Sequence, residues 1–189
     1  GLSKITDVKA NAAKGSFSVE VASVSGLSAG DWVCLTMVNN DPACIADELH
    51  PYEVKTWMKD IVENGVQVYD YHQIASVDGN VVTFREPLMH EVDLKYTSFT
   101  GDSYNWRLDK YPHYENVGIE DVTFVGYAAD DFVHHASWKD DGAYKPLTMT
   151  RLSNSWVRRV GFTSVSEALS VTRSANVSVY DVVIDGHRG

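Results

Sequence analysis

Along residues 115–189 the apolar positions repeat. Glu115-Asn116-Val117-Gly118-Ile119-Glu120-Asp121-Val122-Thr123-Phe124 aligns with Ser153-Asn154-Ser155-Trp156-Val157-Arg158-Arg159-Val160-Gly161-Phe162 and with Ala175-Asn176-Val177-Ser178-Val179-Tyr180-Asp181-Val182-Val183-Ile184. An Asn opens each copy. A β-branched residue follows three positions on (Ile119, Val157, Val179), a Val at six (Val122, Val160, Val182) and a bulky apolar residue at eight (Phe124, Phe162, Ile184). The last two copies lie 22 residues apart and the first two 38 apart, so one coil carries an insertion of 16 (38 less 22). Leu147-Thr148-Met149-Thr150-Arg151 and Leu169-Ser170-Val171-Thr172-Arg173 form a second ladder at the same 22-residue offset. Each coil thus offers at least two short alternating strands. A unit this small cannot bury its own apolar face, and stacking equivalent positions coil on coil closes a continuous core. The pattern predicts an all-β chain whose second part, residues 101–189, is a parallel solenoid.

Residues 1–100 have a different texture. Phe17–Val21, Trp32–Met37, Val66–Ile74 and Val81–Phe84 alternate like half-buried strands. Asp78-Gly79 supplies a hairpin turn and Pro87 ends the last run. This predicts an antiparallel β module, a small open barrel in its simplest form. Val54, Trp57, Met58 and Ile61 fall at helical spacing, with Pro51 before them and Gly65 after, which predicts a helix over 51–64 that packs through Trp57. Residues 88–114 mix His, Tyr, Asp and Trp without a clean period and read as a long connection. In it, Trp106 and Arg107 suit a sugar surface, a flat ring beside a hydrogen-bonding group.

A net charge of −10 argues against a broad basic surface for nucleic acid or anionic membrane. No apolar run approaches the ~18 residues of a membrane span. Cys34 and Cys44 fit either a local disulfide or two free thiols. The last coil runs into Asp185-Gly186-His187-Arg188-Gly189 with no polar cap after it. An uncovered solenoid end exposes apolar surface and unpaired strands. The expectation is a piece of a longer β-helix, or one whose coils a second polypeptide continues.

A solenoid keeps its coils regular and places specificity in loops. The insertion, Tyr127 to Tyr144, is therefore the leading site, with Asp130, Asp131, His134, Trp138, Lys139, Asp140 and Asp141 as its chemistry-bearing residues. Asp130 and Asp131 suit an acid and base pair, and His134 a proton shuttle or carboxylate orienter. Trp138 and Lys139 suit substrate contact. Asp140 and Asp141 stand next to Gly142 and offer oxygen ligands to calcium, although the spacing matches no EF-hand loop. No other metal set is indicated. Arg151 and Arg173 occupy equivalent positions, stacked about 5 Å apart, and suit an anionic sugar through bidentate contacts. Arg159 falls between Asp121 and Asp181 in the stack and reads as a structural ion ladder. His187 sits at the exposed turn of the third coil.

Asn at the turn, alternating β-branched residues and the 22-residue period resemble the right-handed parallel β-helix of the pectate-lyase-like superfamily. The resemblance covers residues 115–189 well and the first module loosely. It implies a groove that binds an extended glycan, and its members include polysaccharide lyases, glycoside hydrolases, uronate epimerases and phage tailspikes. Asp130-Asp131 resembles the paired Asp of the galacturonan hydrolases, and Gly186-His187-Arg188-Gly189 only partly resembles their Gly-His-Gly element. Their Asn-Thr-Asp and Arg-Ile-Lys elements are absent. By this resemblance Asp131 would serve as the acid of a hydrolase, and Arg151 or Arg173 would serve a lyase. The expected function is an extracellular or cell-surface carbohydrate-active enzyme that cleaves a polysaccharide by hydrolysis or β-elimination. A non-catalytic adhesin- or tailspike-like β-helix and a uronate epimerase are the alternatives.

Overall fold

The computed structural model describes residues 1–128, 133–142 and 144–186, with 139 and 142 described in backbone only. The chain divides into two compact units, Gly1–Pro112 and His113–Gly189.

The first unit is one curled antiparallel sheet. Its elements are β1 (Ser3–Asp7), β2 (Ser18–Glu20), β3 (Trp32–Asn39), α1 (Pro42–Leu49), α2 (Lys59–Asn64), β4 (Val66–Asp78), β5 (Val81–Phe84) and β6 (Tyr104–Lys110). Strand order is β1-β6-β3-β4-β5-β2, with every pair antiparallel. The two outer strands then meet: Val8 bridges Val21, Lys9 N–H donates to Glu20 O (2.8 Å) and Ala22 N–H to Asp7 O (2.9 Å). This curl protects edges that would otherwise be open to pairing. β3 is buried along its whole length. Leu35, Ile74, Phe84, Leu108 and Trp106 fill the interior. Burying each contributes about 1.5–3 kcal/mol.

Three expectations change here. The helix over 51–64 exists only as α2. Helical structure begins earlier, at Pro42, because Asp41 caps it by accepting from Ala43 N–H, and α1 buries Cys44 and Ile45. Trp57 does not pack; it is 74% exposed. Residues 104–110, read as connection, form β6 between β1 and β3. Cys34 and Cys44 are both free and buried.

The second unit contains β7 (Tyr114–Glu115), β8 (Gly118–Val125), α3 (Trp138–Gly142), β9 (Leu147–Thr150), β10 (Leu152–Thr163), β11 (Leu169–Thr172) and β12 (Ala175–Asp185). Pairing is parallel throughout. β10 pairs β12 with Val157 opposite Val179 and Phe162 opposite Ile184, and pairs β8 with Val157 opposite Ile119 and Phe162 opposite Phe124. β11 pairs β9 with Leu169 opposite Leu147. These are the 22- and 38-residue offsets of the repeat.

Each coil turns at left-handed corners. Arg151, Asn154, Arg159 and Ser164 have φ of 56, 49, 50 and 54°, and their partners 22 residues on, Arg173, Asn176, Asp181 and Gly186, have 50, 53, 54 and 76°. A left-handed L-residue costs about 1–2 kcal/mol, and Asn bears it best. The Asn176 amide also donates to Asn154 Oδ1 (3.5 Å), one coil to the next. The corner at Arg159 explains the three-then-two spacing of the repeat. It resets the alternation, so Val157, Val160 and Phe162 all point inward and are at most 2% exposed. Phe124 stacks on Phe162 at 5.5 Å. β12 is the open side of the stack, with Val179, Tyr180, Val183 and Ile184 each 45–60% exposed.

Candidate functional site

The insertion leaves β8 and returns at β9, and both ends are pinned to the coil above. Gly126 N–H donates to Thr163 O (2.8 Å) and Ala128 N–H to Ser164 O (2.9 Å), while Tyr144 O accepts from Ser166 N–H (3.0 Å). A Cβ at position 126 would collide with the Ser164 carbonyl, so only Gly passes there. Between these anchors Val133–Ala136 make a turn, and α3 follows. Ser137 starts that helix: its carbonyl accepts from Asp140 and Asp141 N–H (3.1 Å each), and its hydroxyl donates to Asp140 Oδ2.

The helical turn carries Asp141 back to His135. The His135 backbone N–H donates to Asp141 Oδ1 (2.8 Å) and the ring Nδ1–H to Oδ2 (2.9 Å). These ring and backbone bonds hold the Asp141 carboxyl below the usual carboxylate range. The His134 ring lies 3.7 Å from that of His135, centroid to centroid. One ligand atom from each of His134, His135 and Asp141 falls within 4.8 Å of the others.

Aromatic surface flanks this cluster in sequence. Tyr127 is 79% and Trp138 72% exposed, and the Tyr127 ring meets Tyr144 edge-on at 6.3 Å. A shallow cleft of about 250 Å³ is lined by Phe124, Val125, Gly126, Tyr144, Lys145 and Pro146. Lys145 pairs with Glu167 at 2.6 Å. An exposed ring beside a cleft with polar groups, as Tyr127 is, suits the face and hydroxyls of a sugar.

The paired arginines behave differently. Arg159 binds Asp121 in bidentate fashion (2.6 and 2.8 Å) and reaches Glu120 Oε2 (3.2 Å), to which Arg158 also donates (2.8 Å). Trp156 Nε1–H also donates to Glu120. The ladder thus closes on the Asp121 side, and these guanidinium groups are already neutralised. Arg151 and Arg173 sit at stacked exposed corners, where Arg151 N–H donates to Thr172 O (3.2 Å).

The predicted site residues are therefore dispersed. His134 and Trp138 share one segment with backbone-described Lys139, and Arg151 and Arg173 share one ladder. Trp106 and Arg107 belong to the first unit. The Trp106 ring is only 3% exposed and is fixed by an Nε1–H bond to Asp93 O (3.2 Å), so it offers no face to a ligand. Arg107 lies over the Tyr104 ring (3.4 Å) and pairs with buried Asp109 (3.0 Å). Asp130, Asp131 and His187 lie outside the described residues. His135, Tyr127 and Tyr144 were not singled out by sequence.

No protein-family model and no curated protein matches the sequence. The fold does resemble solved structures. The gp54 tailspike of Acinetobacter baumannii bacteriophage AP22, in complex with A. baumannii capsular saccharide, is 14% identical with a TM-score of 0.54, over 96% of this chain and 34% of that one. The tailspike protein gp49 of Pseudomonas phage LKA1 is 15% identical (TM-score 0.51) over 98% of this chain and 28% of that one. The tailspike gp61 of Pseudomonas phage phi297 is 14% identical (TM-score 0.54) over 98% and 31%. At this identity the likeness is one of fold. The chain spans about a third of the length of these tailspikes.

Proposed function

We propose that this chain is a section of a tailspike-like, right-handed parallel β-helix protein that works outside the cell and binds a bacterial surface polysaccharide through its insertion. The observation that carries the reading is the fold likeness, over nearly the whole chain, to a phage tailspike solved with a capsular saccharide. The exposed ring of Tyr127, which meets Tyr144 of the Tyr144–Pro146 cleft, and the exposed ring of Trp138 in the same insertion support it locally. The apolar outer face of β12 supports continuation of the coils there, by more of the same protein or by a partner chain.

Cleavage of the bound glycan is the finer step of this reading. Asp130 and Asp131 remain the proposed acid and base, and Arg151 or Arg173 the proposed uronate contact. The test is binding of the chain to a panel of immobilised capsular polysaccharides, with reducing ends and absorbance near 235 nm followed for products. Binding to at least one polymer is expected, weakened about tenfold by Trp138→Ala, the loss of one stacking ring. Failure of the folded chain to bind any of them, or binding that Trp138→Ala leaves intact, overturns the reading. Binding without products leaves a glycan-binding module.

A further inference from the structure

We infer that His134, His135 and Asp141 form a binding site for a divalent first-row cation of the zinc type, which ties the turn at 133–136 to α3. This does not rest on the glycan reading. Two imidazoles and one carboxylate are a donor set that zinc accepts, with a fourth position left for water. Bonds of about 2.1 Å place tetrahedral ligand atoms ~3.4 Å apart. The three donor atoms already lie within 4.8 Å of one another. All three side chains are exposed, so rotation about their own bonds closes the remaining distance without moving a core residue.

The surroundings fit the same purpose. The His135 backbone N–H holds Asp141 Oδ1, which orients the carboxylate and leaves Oδ2 to face the rings. The two imidazole rings lie 3.7 Å apart, centroid to centroid, and bring both donors to one place. Among the described residues no other three His, Cys, Asp or Glu side chains come this close. His90 pairs with Glu48 and His113 with Glu115. Calcium is a poor match because it takes six to eight oxygens. The second oxygen donor expected for it, Asp140, is occupied by the Ser137 hydroxyl.

The experiment is calorimetric titration of the EDTA-treated 189-residue chain with zinc chloride, repeated for His135→Ala, Asp141→Asn and His113→Ala. The expected result is one ion per chain with a dissociation constant on the order of 10 µM or tighter. It should weaken about tenfold or more in His135→Ala and in Asp141→Asn, and stay unchanged in His113→Ala. Cobalt chloride on the same samples should give visible absorption bands that disappear in the two site variants. No saturable binding, binding that survives both site substitutions, or binding lost in His113→Ala overturns the assignment. So does a calcium affinity equal to that for zinc.

Discussion

Phe124, Phe162 and Ile184 occupy one ladder position in three successive coils, but they are not equally buried. Phe162 is fully buried between its neighbours, while Ile184 is 50% exposed on the open side of β12. Truncating a fully buried Phe to Ala costs about 3–5 kcal/mol, transfer and cavity together. A buried Ile costs about 2–5 kcal/mol. Half of that surface is already wet at Ile184 and its cavity opens to solvent, so Ile184→Ala should cost about 1–2 kcal/mol. At about 4–8 °C per kcal/mol for a unit of this size, Phe162→Ala should lower the melting midpoint of the second unit by on the order of 20 °C, and Ile184→Ala by less than half of that. Phe124→Ala should fall between them. Thermal melts followed by circular dichroism read all three. Equal losses at 162 and 184 would refute the reasoning, because they would mean that β12 is covered and the stack has no open side.

Acidification should weaken the second unit. Asp121 and Glu120 are held below their ordinary values of 3.8 and 4.5, first by the guanidinium bonds of Arg159 and Arg158 respectively. A depressed carboxylate contributes stability that is whole above its unfolded value and lost as pH falls toward the folded one. Melting midpoints should therefore drop below about pH 4.5, with a shallower drop in Arg159→Met; parallel profiles for the two proteins would remove the ion ladder as the cause. Burial pushes the Cys34 thiol up to about 12 and Cys44 up to about 11, so a disulfide reagent at neutral pH should find neither in the native chain and both after unfolding. Early reaction of either thiol would count against the buried positions of β3 and α1. Gly65 has φ of 80°, and a Cβ there would lie 2.5 Å from Asn39 O. Gly65→Ala should cost about 2–4 kcal/mol in urea unfolding, and a loss under about 0.5 kcal/mol would show that the α2–β4 junction is looser than described.

The coil register was legible in the amino-acid order because stacking demands the same residue type at the same place. Asn116, Asn154 and Asn176 mark left-handed corners, and of the apolar residues that follow Ile119, Phe124, Val157, Val160, Phe162 and Val182 land in one core. The three-then-two spacing has a physical cause: a left-handed residue at 121, 159 and 181 shifts the alternation by one. In the first unit, Trp106 and Leu108 do alternate as a strand, but the charged residues between and after them hid β6. One of those, Asp109, is fully buried beside Arg107 and counts as interior. The helical period of Val54, Trp57 and Ile61 is real in the sequence, yet nothing there distinguishes it from the better start that Asp41 and Pro42 make for α1. The insertion was found from its length alone. Its His135–Asp141 pair was not, because only the turn of α3 begun by Ser137 brings residues six apart into contact.

The measurement that bears most directly on the proposed function uses the five tryptophans of the chain. Each indole N–H gives its own proton–nitrogen correlation, and a capsular saccharide that binds can be titrated in while all five are watched. Trp32 and Trp106 are buried, whereas Trp57 and Trp138 are 74% and 72% exposed, in the first and second units respectively. Saccharide at the insertion should move the Trp138 signal in a saturable way and leave those of Trp32, Trp57 and Trp106 in place. Movement of Trp57 with Trp138 unchanged would put the glycan on the first unit and overturn the assignment of the insertion as the binding face.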